Sequence, residues 1–315
     1  MLDSSDTSKI DNSQIPVLQP MEFGGILDSA LSLYRNNFRF FLAIIAIYIV
    51  WIGLQEAVVV WLLERYGIPN FDHLWLLERY NTPNFNSLVF DVDDLLDNLV
   101  YMLFVGVFVV VSSEIYLGRR LTFRGALQQF RSRFLTYLGS SLLFLIPHRI
   151  LIVDSIEIPI RGAFFLLSLS FLCVFYISWI FYGPAVLLEG FTVMEAFGRS
   201  RILVRGTWMR VCSITLAIFL LEIGIYYVLG SSLGVVFALL GILQEGSLME
   251  IIGNLLRLKY VDIRPISLDS LIMYIVYLGW DAFTLPIYAI GITLLYYDLR
   301  IRKEGFDLEM RVRNS

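Results

Sequence analysis

The chain of 315 residues is 57% hydrophobic and 17% charged, with a mean hydropathy of +0.72, where a soluble domain carries about 25% charged residues. A net charge of −4, mixed in sign along the chain, excludes an extended basic surface for nucleic acid. Two cysteines, Cys173 and Cys212, both inside apolar runs, exclude a disulfide framework and a CxxC metal motif.

Residues 1–21 are polar and broken by proline, without a basic leader or an apolar h-region. They are expected to form a disordered tail with no cleavable signal peptide. A bilayer core about 30 Å thick needs roughly 20 mostly apolar residues in a helix. Six runs qualify: 39–63, 97–117, 134–153, 162–188, 208–229 and 271–297. The predicted fold is therefore an all-α polytopic integral membrane protein of six transmembrane helices. One membrane domain occupies 22–309, and 310–315 form a short tail. The run GSSLGVVFALLGIL at 230–243 is too short to cross alone and reads as a kinked extension of the fifth span or an interfacial helix.

Lys and Arg placement orients the spans. Six spans put 17 of the 24 basic residues on the side of the N-terminus, so both termini are expected in the cytoplasm of a cell with the chain in its inner membrane. The opposite side then carries an acidic loop containing WLLERYGIPNFDHLWLLERYNTPNF, residues 61–85. Its two halves, Trp61–Phe71 and Trp75–Phe85, agree at nine of eleven positions. A tandem duplication tolerated at an exposed site explains this repeat.

A subtler repeat lies on the basic side. ALSLYRNNF (Ala30–Phe38) precedes the first span, ALQQFRSRF (Ala126–Phe134) the third and AFGRSRILV (Ala196–Val204) the fifth. Each has Arg five residues after Ala and a bulky apolar residue three further on. In the first copy Ile26, Leu27, Ala30, Leu31, Tyr34 and Phe38 make one apolar face with Arg35 placed to reach phosphates. The chain thus divides into three units, each an interfacial amphipathic helix plus a membrane hairpin. Arg35, Arg131 and Arg201, with Arg205 beside them, are the headgroup candidates.

The run GPAVLLEGFTVMEAFGRSRILVRGTWMRV (183–211), the opening FGGILDSALSLYRNNF and the ending TLLYYDLRIRKEGFDLE (293–309) together resemble the glycerophosphoryl diester phosphodiesterase membrane-domain family. The resemblance covers about 22–309 and implies a six-span helical module, in some members fused to a catalytic barrel. The metal-binding barrel needs some 250 further residues with several acidic and histidine ligands, and none are left here, so phosphodiesterase activity is not carried over.

Other chemical candidates are few. GSSLG (230–234) satisfies both G-x-S-x-G and G-x-x-x-G, but an apolar helix favours close packing over a nucleophile elbow. Asp91, Asp93, Asp94 and Asp97 have the acid density of a calcium loop without its Gly and closing Glu; acid at the start of a span suits the helix dipole better. His148 and Arg149 follow Pro147 and read as an outer-interface pair. Glu222 and Asp281 fall near mid-span, where an ionised carboxylate costs several kcal/mol unless paired or solvated. Asp298 with Arg302, and Arg300 with Glu304, stand at i and i+4 on one helical face, so intrahelical ion pairs are expected; the resemblance implies in addition that this ending docks on the arginines of 199–210 or holds anionic lipid.

The residues thus point to a non-enzymatic membrane module for lipid handling, envelope organisation or partner binding. No catalytic residues, metal or cofactor are assigned. The partners are the lipid bilayer, with its anionic lipids, and other membrane proteins. The alternative is a small transporter using Glu222 and Asp281. Reporter fusions at residues 85 and 310 should lie in opposite compartments; the same compartment for both would rule out six spans.

Overall fold

The computed structural model describes residues 19–65, 85–119, 123–154, 161–239 and 268–314. Among them every regular element is helical: α1 Phe23–Asn36, α2 Phe38–Arg65, α3 Phe85–Tyr116, α4 Phe123–Asp154, α5 Arg161–Trp179, α6 Val193–Val204, α7 Trp208–Leu239, α8 Leu268–Glu304 and α9 Phe306–Asn314. Between α5 and α6 the chain makes one turn, Tyr182–Pro184, and a π-helical turn, Ala185–Glu189. Most of the tail (1–18), most of the doubled WLLERY segment (66–84) and residues 240–243 of the short apolar run lie outside the described residues.

Five helices are long and apolar enough to cross a membrane, in the stretches Phe38–Gln55, Leu95–Tyr116, Ser170–Glu189, Trp208–Ile225 and Ala282–Glu304. The chain is thus a multi-pass helical membrane protein. The remaining expected span, 134–153, lies in α4, whose 32 residues reach about 48 Å. It is not among these five, and the side chains of its residues 147–153 lie outside those described. The fifth expected span continues without a break through GSSLG to Leu239.

The three pre-span segments differ in their ends. Asn37, with φ −115° and ψ 22°, separates α1 from α2, and its side-chain amide donates to Leu33 O at 3.0 Å. Gly206, at φ +82°, separates α6 from α7, a conformation that glycine adopts without strain. Nothing comparable follows Ala126, and α4 runs on as one helix from Phe123. The second unit therefore has no separate interfacial helix.

α8 is the hub of the bundle: 89% of Ala282–Glu304 is buried, against 22% of Trp208–Ile225. α7 runs antiparallel to it, with Arg210 at Asp298 and Ile218 against Gly291. α3 meets the same end of α8 through Ser113 and Tyr297, whose hydroxyls lie 2.6 Å apart. α2 pairs antiparallel with α3 through Phe41 with Phe108, Tyr48 with Phe104, and Gln55, which donates to Asp97 at 2.5 Å.

α1 is not free on a surface. Ile26 and Ala30 are buried, and the helix lies along α8, from Met21 beside Asp298 to the Tyr34 hydroxyl, which donates to Phe283 O at 3.1 Å. Leu31 and Phe38, counted in its apolar face from sequence, are instead exposed.

Close helix approach depends on glycine. A Cβ at Gly106 would stand 2.6 Å from Tyr137 Cε1 and 2.9 Å from Phe130 Cε2, both in the buried α3–α4 contact. Gly106→Ala should cost about 1–3 kcal/mol through overpacking and lower the Tm of the detergent-solubilised protein. Gly224→Ala, with nothing within 4 Å of a built Cβ, should leave it unchanged; equal effects would remove the packing argument.

Candidate functional site

Charge converges at the arginine-rich end of the bundle, where α8 closes, α6 ends and α7 begins. Asp298 is fully buried. Its Oδ2 accepts from Arg210 Nε at 3.0 Å and Nη2 at 2.9 Å, and from Arg302 Nε at 3.0 Å; its Oδ1 accepts from the Met21 backbone N–H at 2.8 Å. Both arginines turn a second donor to one further oxygen: Arg210 Nη2 and Arg302 Nη2 each donate to Met21 O at 2.6 Å. A buried carboxylate costs several kcal/mol unless it is paired and hydrogen-bonded, and here one turn of α8, the start of α7 and the segment entering α1 all supply partners.

A second network adjoins the first. Arg199 of α6 holds Glu304 by two parallel hydrogen bonds, one of them at 2.7 Å, and Glu189 at 3.2 Å. Arg300 reaches Glu304 at 3.3 Å and Glu189 at 3.8 Å, and lies over the Phe306 ring with its central carbon 4.0 Å from the centroid, a cation–π contact. The Glu304 hydrogen bonds and the Glu189 charge outweigh burial and raise the Arg199 guanidinium above its already high range. Lys303 Nζ donates to the carbonyls of Leu203 at 2.7 Å and Arg205 at 2.6 Å. It thereby caps the C-terminus of α6, where helix carbonyls lack intrahelical partners and favour a cation.

The irregular turn that presents Glu189 is satisfied from α4. Arg133 Nη1 donates to Leu187 O at 2.6 Å and Val186 O at 3.3 Å, and Gln129 Nε2 to Leu187 O at 3.2 Å. Gly190 then reverses the chain at φ +84°. Glu195 closes the start of α6, accepting from the Thr192 backbone N–H at 3.0 Å and hydroxyl at 2.8 Å, and these bonds hold its carboxyl below the usual range.

The sequence candidates separate into groups. Asp298, Arg300 and Arg302 sit inside the two networks, and both i, i+4 pairs form. Arg35, Arg131, Arg201 and Arg205 are exposed, and among the described residues their side chains join neither network; Arg205 enters only through its carbonyl, bonded by Lys303. Glu222 is half-buried on α7, within electrostatic range of Tyr176 and Tyr288, whose hydroxyls hydrogen-bond to each other. Asp281 lies on α8, its side chain outside those described, as do those of His148 and Arg149 on α4. Ser232 of GSSLG is mid-helix, its hydroxyl donating to Val228 O, without the strand-turn-helix that a nucleophile elbow requires.

Sequence reading missed Glu189, Met21 and the inward role of Arg133. Glu189 had one signal, an acid directly before the helix-stopping Gly190. Met21 had none, because a backbone contact carries no side-chain signature. No family model matches the chain, and neither a curated protein nor a solved structure does.

Asp298→Asn removes the charge that two arginines share and should destabilise the protein by on the order of 3 kcal/mol, read as a lower Tm and faster unfolding in detergent. Glu309→Gln, at an exposed 3.9 Å contact with Arg300, should change stability by less than about 0.5 kcal/mol. A neutral Asp298→Asn would mean the buried network does not hold this end together.

Proposed function

We propose that the chain is a non-enzymatic membrane module of six spans in three hairpin units, the first and third entered by a separate helix, of the glycerophosphoryl diester phosphodiesterase membrane-domain type. In this reading it sits in a bacterial inner membrane with both termini cytoplasmic, and its arginine-rich end engages anionic lipid headgroups. The observation that carries it is the threefold split of the pre-span repeat: Ala30, Ala126 and Ala196 are buried, while Arg35, Arg131 and Arg201 are exposed. Exposed apolar side chains stand near them, Leu31, Leu135, Met194 and Ile202 among them. Cations beside apolar groups are what the boundary between headgroups and acyl chains selects.

One observation favours the transporter alternative. Glu222, with the Tyr176–Tyr288 hydroxyl pair, places a titratable group among apolar helices, where such groups mark ion or substrate paths.

Reconstituted protein distinguishes the two. Phosphatidylglycerol should raise Tm above its value in phosphatidylcholine, and the triple variant Arg35→Gln/Arg131→Gln/Arg201→Gln should lose that rise; an unchanged rise would leave these arginines without a headgroup role. The transport reading requires a proton flux in the same proteoliposomes that Glu222→Gln abolishes, and absence of flux in the unmodified protein would sink it.

A further inference from the structure

The contact between Met21 and the two arginines is incomplete in charge. Asp298 carries one negative charge and Arg210 and Arg302 two positive ones, and Asp298 is the only carboxylate paired with either arginine among the described residues. The excess cation faces a neutral backbone carbonyl. Two guanidinium groups with N–H donors aimed at one oxygen, each 2.6 Å from Met21 O, form the donor set that a phosphate group takes. The starts of two helices adjoin it: Arg210 lies in the first turn of α7, and α1 begins at Phe23 with no acid in its first turn, its N-cap Glu22 exposed and making no side-chain capping bond.

The cover is slight and the arginines are within reach of solvent. Gln19, Pro20 and Glu22 are exposed, and Met21 is half-buried. The Arg210 and Arg302 side chains are 26% and 35% exposed. The described contacts of this strap with the arginines and Asp298 all come from the Met21 backbone, and none is an ion pair.

We propose that Arg210 and Arg302 form a binding site for a phosphate group, and that residues 19–22 are its exchangeable cover, the Met21 carbonyl oxygen standing where a phosphate oxygen binds. Asp298 keeps both guanidinium groups in place when the cover leaves. The ligand is a phosphate, of an anionic lipid headgroup or free in solution. The headgroup source rests on the function proposed above; the site itself does not. Binding to a covered site is weakened by the fraction of time the cover is closed, so the strap sets the apparent affinity.

The test uses the full chain with a nitroxide on Gln19→Cys, in a background of Cys173→Ser and Cys212→Ala. Short-chain phosphatidylglycerol, inorganic phosphate and chloride at matched ionic strength are titrated while spin-label mobility is followed. Phosphate-bearing probes should mobilise the strap and chloride should not. Arg302→Gln should raise the half-saturating concentration about tenfold or more. Met21→Pro, which lacks the N–H donated to Asp298, should loosen the cover and lower that concentration about tenfold.

Mobilisation by inorganic phosphate assigns a free-phosphate site, and mobilisation by the lipid alone a headgroup site. A strap that Met21→Pro frees but no phosphate probe moves would overturn the proposal, as would an equal response to chloride. A strap response that survives in the Arg35/Arg131/Arg201 triple variant, after the lipid-dependent Tm rise is lost, would show the two arginine sets acting separately.

Discussion

The arrangement of this protein depends on one constraint: a carboxylate with no solvent exposure at the end of its most buried helix. Asp298 must be satisfied from within, and the groups that satisfy it come from residues 21, 210 and 302. Their convergence fixes where α7 starts against α8 and where the chain enters α1. Pairing of this kind is a weak source of net stability, because desolvation consumes most of the attraction. Its larger effect is on register: a one-turn slip of α7 along α8 would strand both Asp298 and Arg210. Arg199, Arg300 and Lys303 extend the same logic to Glu189 and the end of α6.

Away from that end the helices are held by shape. Between helices in lipid there is little hydrophobic drive, so association relies on close packing and interhelical hydrogen bonds. Gly291 against Ile218 and Gly106 against Tyr137 supply the first. The Tyr137 hydroxyl, donating to Met102 O at 2.7 Å, supplies the second. The π-helical turn at 185–189 fits the same rule. Irregular backbone in such a setting needs its carbonyls bonded by neighbouring groups, and Arg133 and Gln129 reach across from α4 to do so.

The helices were legible because long apolar runs have few other solutions, whereas the breaks at Asn37 and Gly206 emerged only in the structure. That α4 lacks a break is consistent with its sequence, since no Asn or Gly stands in 127–138, where the other two copies have Asn37 and Gly206. Positions that pair far apart along the chain, such as Arg210 with Asp298, left less trace. The docking of the 298–304 ending on arginines near 199–210 was expected from the resemblance, and Arg199 and Arg210 make it. The choice of Arg199 and Arg210 over Arg201 and Arg205 was not foreseeable from charge alone, and Met21 acts through backbone atoms that every residue has.

That choice becomes intelligible once one buried residue per helix is known. Successive residues turn about 100° around a helix, so a position five after a buried alanine lies about 140° away, and positions three or seven after it lie within about 60°. Arg35, Arg131 and Arg201 are each five after Ala30, Ala126 and Ala196, and all three are exposed. Arg199 is three after Ala196 and Arg133 is seven after Ala126, and both turn inward, to Glu304 and to Leu187 O. A count of positive charge along the chain treats these arginines alike. The helical angle divides them into a set that holds the bundle closed and a set left free to meet whatever lies outside it.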